Sequence, residues 1–255
     1  MACSACAQSC VVDTTFDMFY GPGAVVNIAL PQSDGKVVIV GYFTNVKGTS
    51  LNRVARLNAD GSLDTSFSFA TGPNADILCA TVQPDGKILI GGFFTNVNGV
   101  TCNRIARLNS NGSVDGTFNP GTGVSSGVFS MALQTNGQVI IGGGFTNVNG
   151  VARKRLARLN SNGSLDPSFN ATGGVDDNFV TAMQLRLDGK IVISGSFTSI
   201  GGTSRNQIAR LNSDGSLDPS FYAGAGPNGV MSIYCMALQP NAKVLIGGSF
   251  TSVIG

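Results

Sequence analysis

The feature that most constrains this chain of 255 residues is an internal repeat with a period of about 51 residues. Each unit opens with a turn signature, followed after 9 residues by a Phe, after 13 more by Arg-Leu-Asn, and after 11 more by the Phe of an Asp-x-x-Phe signature. The turn signatures begin at Asp34, Asp85, Asn136, Asp188 and Asn241. Wherever both ends are present these intervals do not vary, and all variation in length falls between the last Phe and the next turn. A rigid unit with one adjustable segment is typical of stacked repeats.

The pattern inside each unit predicts β-strands and no helix. Lys87 to Phe94 is a continuous apolar and β-branched run, as expected for a strand buried on both faces. Asp-Gly or Asn-Gly dipeptides follow or precede such runs and predict type I′ hairpins, because both residues tolerate positive φ. We therefore predict three long strands and a short fourth in each unit. Four-stranded units of this length, repeated roughly four to eight times, are typical of a β-propeller.

A glycine recurs at one position of the second strand. These glycines are Gly41, Gly92, Gly143, Gly195 and Gly248. Glycine inside a strand usually marks a place where another backbone or a ring comes too close for a Cβ. We expect the neighbour to be the Phe that recurs two residues later.

The two ends of the chain complement each other. The chain stops at Gly255 without the Arg-Leu-Asn and Asp-x-x-Phe that follow in the other units, whereas Val12 to Phe16 carries an Asp-x-x-Phe. We therefore predict a single all-β domain over residues 1–255, a five-bladed β-propeller whose last blade is completed by an N-terminal clasp at residues 1–16. The repeats are predicted near 17–67, 68–118, 119–169, 170–221 and 222–255.

Composition narrows the possible functions. The chain contains no His, which removes the commonest general base and metal ligand, and no Trp, the strongest stacking platform. A net charge of +2 gives no reason to expect nucleic acid or an anionic membrane as partner. No apolar run approaches the ~20 residues of a membrane span. The first ten residues lack the basic and apolar regions of a secretory or lipoprotein signal, so we expect synthesis in the cytoplasm.

With these motifs in view, the units resemble the delta-60 repeat family of predicted β-propellers. The matching text is QPDGKILIGGFFTNVNG, then RIARLN, then DGSLDPSF in its several versions. The resemblance extends from Val12 to Gly255 and departs at residues 1–10, where a Cys-rich stretch replaces the arginine strand. Members occur in large bacterial surface proteins and phage virion proteins, generally without enzymatic activity. The resemblance therefore implies a structural or binding module, and it brings no functional residues.

Arginines recur beside aspartates in four units. The pairs are Arg56 with Asp64, Arg107 with Asp115, Arg158 with Asp166, and Arg210 with Asp218. They could form a charged ring for an anionic ligand, or a repeated ion pair that stabilises each blade. The second interpretation is favoured because a repeated residue usually serves a repeated structure.

The stretch from Asn58 to Asp64 superficially resembles a calcium loop, with oxygen donors at alternate positions. Its Gly falls two places earlier than in an EF-hand loop, and the copies at Asn111 and Asn162 lack a carboxylate. A hairpin turn accounts for every residue, so we predict no metal here.

The cysteines leave several interpretations open. Cys3, Cys6 and Cys10 could be small apolar residues of the clasp strand, could form disulfides within or between chains, or could hold a metal with a fourth ligand from elsewhere. Cys79 and Cys235 stand at equivalent positions of the first strand, so we predict that both are buried in the core.

The adjustable segments are the best candidates for a binding surface, because they recur at one phase of the blade and must cluster on one face. The candidate residues are Tyr20, Asn74, Asp76, Asp176, Asp177, Tyr222 and Asn228. Asp176 and Asp177 are also an acidic pair of the kind that carboxylate catalysis would need, but a lone acidic pair in a loop is usually only solvated. The segments could equally be plain connections between blades.

These observations favour a non-enzymatic structural or interaction protein without cofactors, such as a phage tail, fibre or capsid-associated virion component or another extracellular assembly. Its partners would be other protein subunits. The alternative is a ligand- or receptor-binding propeller, lectin-like or adhesive, that uses the variable face to bind a glycan or a receptor.

Overall fold

The computed structural model describes residues 22–67, 71–169, 173–222, 224, 226–227, 233–239, 241 and 243–254. Every regular element in these ranges is a β-strand, as predicted. Within the same ranges there is accordingly no helix of the length and apolarity needed to cross a membrane.

Each repeat unit, here called a blade, is built on an antiparallel hairpin. The first strands are β1 (Val26–Pro31), β6 (Ile77–Val82), β11 (Val128–Leu133), β16 (Val180–Leu185) and β22 (Ile233–Leu238). They pair with β2 (Val37–Gly41), β7 (Ile88–Gly92), β12 (Val139–Gly143), β17 (Ile191–Gly195) and β23 (Val244–Gly248). In blades 1 to 4 a third strand completes the sheet: β5 (Val54–Leu57), β10 (Ile105–Leu108), β15 (Leu156–Leu159) and β20 (Ile208–Leu211).

The rest of the blade differs from the predicted short fourth strand. That strand is reduced to one bridge, as between Leu57 and Leu63. An extra hairpin lies between the second and third strands: β3 (Asn45–Val46) with β4 (Thr49–Ser50), β8 (Asn96–Val97) with β9 (Val100–Thr101), β13 (Asn147–Val148) with β14 (Val151–Ala152), and β18 (Ser199–Ile200) with β19 (Thr203–Ser204). In the fifth blade β21 (Gly226–Pro227) pairs with β24 (Val253–Ile254).

The type I′ turns occur in this extra hairpin and not where they were predicted. Lys47 and Gly48, which join β3 to β4, both have positive φ, at 51° and 77°. At the predicted site only Gly35 has positive φ, and the Asp34 carboxylate instead accepts a hydrogen bond from the Lys36 amide at 3.1 Å. The predicted type was wrong because a side chain that caps the turn lets Asp keep negative φ, with the glycine forming a bulge.

The core lies between neighbouring blades. The first strands of successive blades pack side by side in chain order. Cys79 and Leu89 of blade 2 belong to one buried cluster with Val128 and Ile141 of blade 3. The burial of Cys79 is therefore confirmed.

The recurring glycine of the second strand is explained by backbone and not by the Phe. A Cβ on Gly92 would lie far inside van der Waals contact with the Asp76 carbonyl oxygen, and Gly41 meets the Val25 carbonyl in the same way. The predicted close approach is confirmed, but the predicted neighbour was wrong. A bulge in each first strand brings this carbonyl against the glycine.

The fifth blade is less covered than the others. Cys235 is exposed, which contradicts its predicted burial, and Leu245 is exposed although its counterpart Leu89 is buried. Within the described ranges, β22 packs on β16 but makes no packing of similar extent with β1. Five-bladed closure is therefore not confirmed, and the clasp with Cys3, Cys6 and Cys10 lies outside the described residues.

Candidate functional site

The end of each blade that carries the Asp-Gly turns, here called the turn end, contains the repeated Arg–Asp pair. Asp64 accepts from Arg56 Nε at 2.7 Å and from Lys36 Nζ at 2.8 Å. Arg56 also lies over the Phe67 ring at 4.6 Å and donates to the Ser110 carbonyl of blade 2 at 2.6 Å. The other three pairs have the same ion pair and the same stacked Phe. The structural interpretation of these pairs is confirmed.

The aspartates of these pairs are held ionised. Burial raises the pKa of Asp64, but hydrogen bonds from Lys36, Ser66 and Arg56 outweigh it and hold that pKa well below its usual range. In blade 3 the lysine is replaced by Gln138, whose Nε2 donates to Asp166 at 2.9 Å. There burial again opposes the lowering, and the pKa of Asp166 is about 2. Carboxylates bound in this way are poor candidates for acid–base catalysis.

The calcium-like stretch forms a hairpin turn, as predicted, but the turn is not of the predicted type I′, since Gly61 and not Asp60 has positive φ. The Asp60 carboxylate accepts from both the amide and the hydroxyl of Ser62, at 2.9 and 2.6 Å, and Asn58 donates to the same hydroxyl. The turn itself therefore uses these oxygen atoms.

The opposite end, here called the loop end, carries the adjustable segments and the extra hairpins. A second set of arginines, which sequence reasoning missed, connects the blades there. Arg53 of blade 1 donates to the Pro73 carbonyl and forms an ion pair with Asp76 of blade 2, both at 3.1 Å. Arg104 and Arg155 likewise donate to the carbonyls of Val124 and Val175 in the next segments. The available signal was the spacing of these arginines, three residues before the turn-end arginines of blades 1 to 3.

These loop-end arginines have φ between 64° and 67°, a left-handed conformation that is uncommon for a residue with a side chain. The strain recurs in successive blades, and the backbone carbonyls that the guanidinium groups bind offset it. The role of the loop-end arginines is therefore structural.

The candidate binding residues of the adjustable segments are mostly engaged in the fold. Asn74 and Asp177 stand at equivalent positions and accept from the amides of Thr95 and Thr198, at 2.9 and 2.8 Å. Asp76 is paired with Arg53, as described above.

Asp176 accepts from the Gly202 amide and from the Ser199 hydroxyl, and these hydrogen bonds lower its pKa. The two carboxylates of the Asp176–Asp177 pair thus bind different partners. Among the described residues, no contact brings the predicted candidates together into one cluster.

Tyr222 is the exception, because its ring is 70% exposed, with the Arg205 guanidinium 5.5 Å from its centroid. Tyr20 and Asn228 lie outside the described residues.

The loop end also presents a row of aromatic rings that sequence reasoning missed, here called the aromatic row and consisting of Phe93, Phe129 and Phe179. Phe129 makes edge-to-face contacts with both other rings, with centroids 5.7 and 5.6 Å apart. Phe93 is 47% exposed and Phe179 is 39% exposed. The row spans three blades, and Phe129 itself lies in β11. It could not be found from the period, because its members occupy different positions of the repeat.

Two glycines of blade 3 make room for the aromatic row. A Cβ on Gly127 would lie 2.5 Å from the rings of Phe129 and Phe93, and one on Gly144 would lie 3.1 Å from the ring of Phe179. At the position of Gly144, blades 1 and 2 carry Tyr42 and Phe93. The rings are therefore held in a defined arrangement although they face solvent.

A known protein family matches four copies of this sequence repeat. The profile described as "Domain of unknown function (DUF5122) beta-propeller" matches residues 32–67, 83–118, 134–169 and 187–221. The chain belongs to the DUF5122 β-propeller family. Each DUF5122 match ends at the Phe that stacks on the turn-end arginine. No curated protein matches the chain.

Solved structures share the DUF5122 chain's fold at low sequence identity. The WD40 propeller of Doa1 is 17% identical with a TM-score of 0.54, and the match covers 86% of this chain and 59% of that one. A gluconolactonase from Xanthomonas campestris is 13% identical with a TM-score of 0.51, covering 88% and 69%. PorZ, a surface component of the type-IX secretion system of Porphyromonas gingivalis, is 14% identical with a TM-score of 0.52, covering 89% and 31%. This chain thus spans under two thirds of the Doa1 and PorZ chains, and the likeness shows a propeller fold alone.

Proposed function

We propose that this DUF5122 propeller is a non-enzymatic interaction module of a larger assembly, and that its loop end is the contact surface for other protein subunits. The observation that carries the proposal is the half-exposed aromatic row held by Gly127 and Gly144. Aromatic side chains are enriched at the centres of protein interfaces, because they bury a large area with little loss of side-chain freedom. Clustered exposed apolar rings on a soluble fold commonly mark such a contact.

Two features support the non-enzymatic part of the proposal. The chain has no His, and the turn-end aspartates are held by Arg and by Lys or Gln within each blade. The likeness to a gluconolactonase concerns the fold, and one fold hosts many functions.

The proposal includes closure of five blades into a ring. The exposed side of the fifth blade, with Cys235 and Leu245, corresponds to the side of blade 2 whose Cys79 and Leu89 are buried against blade 3. Covering this surface with blade 1 and the N-terminal clasp would remove the open edge.

The place of action proposed for this module is a virion, such as a phage tail, fibre or capsid, or another extracellular assembly. The resemblance of the repeat to the delta-60 family of phage virion and bacterial surface proteins supports it. So does the likeness in fold to PorZ, which is a bacterial surface component.

Light scattering of the full chain at micromolar concentration, with and without reductant, tests the proposal. We expect a defined oligomer that Phe93→Ser weakens, with Val151→Ser, a matched exposed control in blade 3, leaving it unchanged. Dissociation on reduction would make Cys3, Cys6 or Cys10 links between chains. A monomer at every concentration, together with saturable binding to a glycan array that Phe93→Ser abolishes, would instead support the lectin-like alternative, because aromatic faces also stack on sugars.

A further inference from the structure

A hollow at the outer side of blade 2 has no counterpart in the function proposed so far. It has a volume of about 190 Å³ and lies between β9, the start of β10 and the segment Asn119–Gly121. Its walls include Cys102, Ile105, Val114, Gly116 and Phe118. Ile105 and Phe118 are buried, whereas Val100 at its edge is 48% exposed. The hollow is thus open to solvent and mixed in character, because apolar residues and the polar residues Thr101, Asn103, Arg107, Asp115 and Asn119 line it together.

Three of its walls are smaller in blade 2 than at the equivalent positions of blades 1, 3 and 4. Cys102 corresponds to Leu51, Arg153 and Arg205; Val114 corresponds to Leu63, Leu165 and Leu217; and Gly116 corresponds to Thr65, Pro167 and Pro219. A Cβ on Gly116 would meet no atom within 4 Å. Three reductions at one place create the hollow, since each of them removes side-chain volume from the same space.

The other blades show what normally fills this space. In blade 1 the side chain of Leu51 packs on the buried cluster that contains Ala55 and Leu57. In blade 4 the Arg205 guanidinium lies over the Tyr222 ring, and both residues correspond to walls of the hollow in blade 2. The natural occupant is therefore a leucine or the stem of an arginine. In blade 2 the position of Tyr222 is taken by Asn119, which offers no ring for a guanidinium group, so the leucine of blade 1 is the better guide to the occupant.

We propose that the blade 2 hollow is a docking site for a branched aliphatic side chain, of the size of leucine, presented by a protein partner. This inference rests on the proposed role in protein–protein contact and adds a second contact point on the outer side of the ring. A side chain attached to a larger molecule is favoured over a free small molecule because Val100 continues the apolar surface outside the hollow. A partner backbone next to the inserted side chain would cover Val100, whereas a small ligand would leave it in water.

The Cys102 thiol allows the preferred occupant of the hollow to be measured, because it lies in the wall of the hollow. The background is a variant with Cys3, Cys6, Cys10 and Cys235 replaced by Ser. In it the Cys102 thiol undergoes thiol–disulfide exchange with diisopentyl disulfide or with cystamine at a fixed concentration of reductant. Burial raises the pKa of Cys102, so exchange is run at alkaline pH to equilibrium. We expect at least about fivefold more isopentyl than aminoethyl adduct by intact mass, a preference of about 1 kcal/mol. The isopentyl adduct should also raise Tm by about 2–4 °C.

Val114→Leu with Gly116→Pro in the same background is the matched control. It keeps the Cys102 thiol but restores two walls to the residues of blade 4, Leu217 and Pro219. We expect no isopentyl preference in this control. Equal amounts of both adducts at Cys102, or the same preference in both proteins, would overturn the assignment of an aliphatic pocket.

A random-peptide display library, selected on the wild-type chain and counter-selected on Cys102→Leu, tests the source of the occupant. Cys102→Leu fills the hollow with the residue of blade 1, and we expect it to fold with a higher Tm. Enriched peptides should share a Leu, Ile or Met that is essential for binding to wild type and should bind the variant at least tenfold more weakly.

Peptides that bind both proteins equally would overturn the proposal that a partner's side chain occupies the hollow. A small apolar molecule retained by the wild-type protein in native mass spectrometry would also overturn it. The adduct experiment does not depend on the aromatic row, so it can succeed even if Phe93→Ser leaves assembly unchanged. Conversely, its failure would leave the proposed function standing.

Discussion

At the residue scale, the turn-end aspartates connect the sequence repeat to stability. Each has at most 9% of its side chain exposed and accepts hydrogen bonds from an arginine and from a Lys or Gln. A carboxylate with several charged donors is stabilised in its ionised form, whereas removing a donor leaves part of a buried charge uncompensated. Blade 3, with Gln138 in place of Lys, is a natural variant of this arrangement.

Gln138→Lys should therefore stabilise the protein. The new ammonium would complete the pattern of blades 1, 2 and 4, and because the equivalent lysines are about one-third exposed we expect a gain of only about 0.5 kcal/mol at pH 7. Urea unfolding measures it, with Thr135→Lys as an exposed control of the same charge change. An equal gain in both variants would show that general charge, and not the Asp166 partner, is responsible.

The same carboxylates predict a loss of stability in acid. Their folded-state pKa values are lowered, so their contribution is complete above the ordinary value near 3.8 and is lost as pH falls towards the folded value. We expect the free energy of unfolding to fall steeply between about pH 4 and pH 2. Asp115→Asn should lower stability at pH 7 and flatten this slope, as measured by urea unfolding across the range. An unchanged slope would contradict the assignment.

Glycines with different constraints should respond differently to the same substitution. Gly92→Ala places a Cβ against the Asp76 carbonyl and should cost about 3 kcal/mol. Gly99→Ala meets no atom within 4 Å and has only its φ of 83° to oppose it, so it should cost about 1 kcal/mol. Unfolding free energies compare the two directly. Equal costs would mean that conformational strain and not the close carbonyl dominates at Gly92.

At the element scale, the adjustable segments are held by side chains from neighbouring elements. Asn98 in the β8–β9 turn accepts from the Gly72 amide at 2.9 Å, and loop-end arginines bind segment carbonyls. Much of the polar surface that looked available for ligands is used to position the segments. The aromatic row depends on this positioning, because Phe179 follows directly on such a segment.

Arg155→Ala should loosen one segment without unfolding the blade. Arg155 donates to the carbonyls of Val175, Asp176 and Asn178, and its loss should accelerate amide hydrogen exchange in residues 173–179 about tenfold. Exchange in β17 should stay unchanged. The exposed neighbour variant Lys154→Ala is the control, and equal acceleration in both variants would contradict a specific role for Arg155.

At the scale of the whole molecule, the open question of closure can be tested through one thiol. In a Cys3, Cys6 and Cys10 to Ser background, ring closure should slow the reaction of Cys235 with a thiol reagent, because the next blade would cover it as blade 3 covers Cys79. Removal of residues 1–21 should restore fast labelling and lower Tm.

Cys102 serves as the internal reference in that experiment, since its surroundings should not change. Labelling of Cys235 that is equally fast with and without residues 1–21 would show that its surface stays open, as it is in the described part of the chain.

Sequence alone sufficed to predict the repeated β unit, the Arg–Asp pair of four units and the position of the glycine, because strand burial and turn chemistry act over a few residues and leave a periodic trace. Only the tertiary structure identified the partner of that glycine, the true type I′ turns and the role of the loop-end arginines, since each depends on a contact with a distant segment. The aromatic row and the blade 2 hollow are the clearest cases. Both arise where single blades depart from the repeat, and only the packing of neighbouring elements decides whether such departures gather in one place.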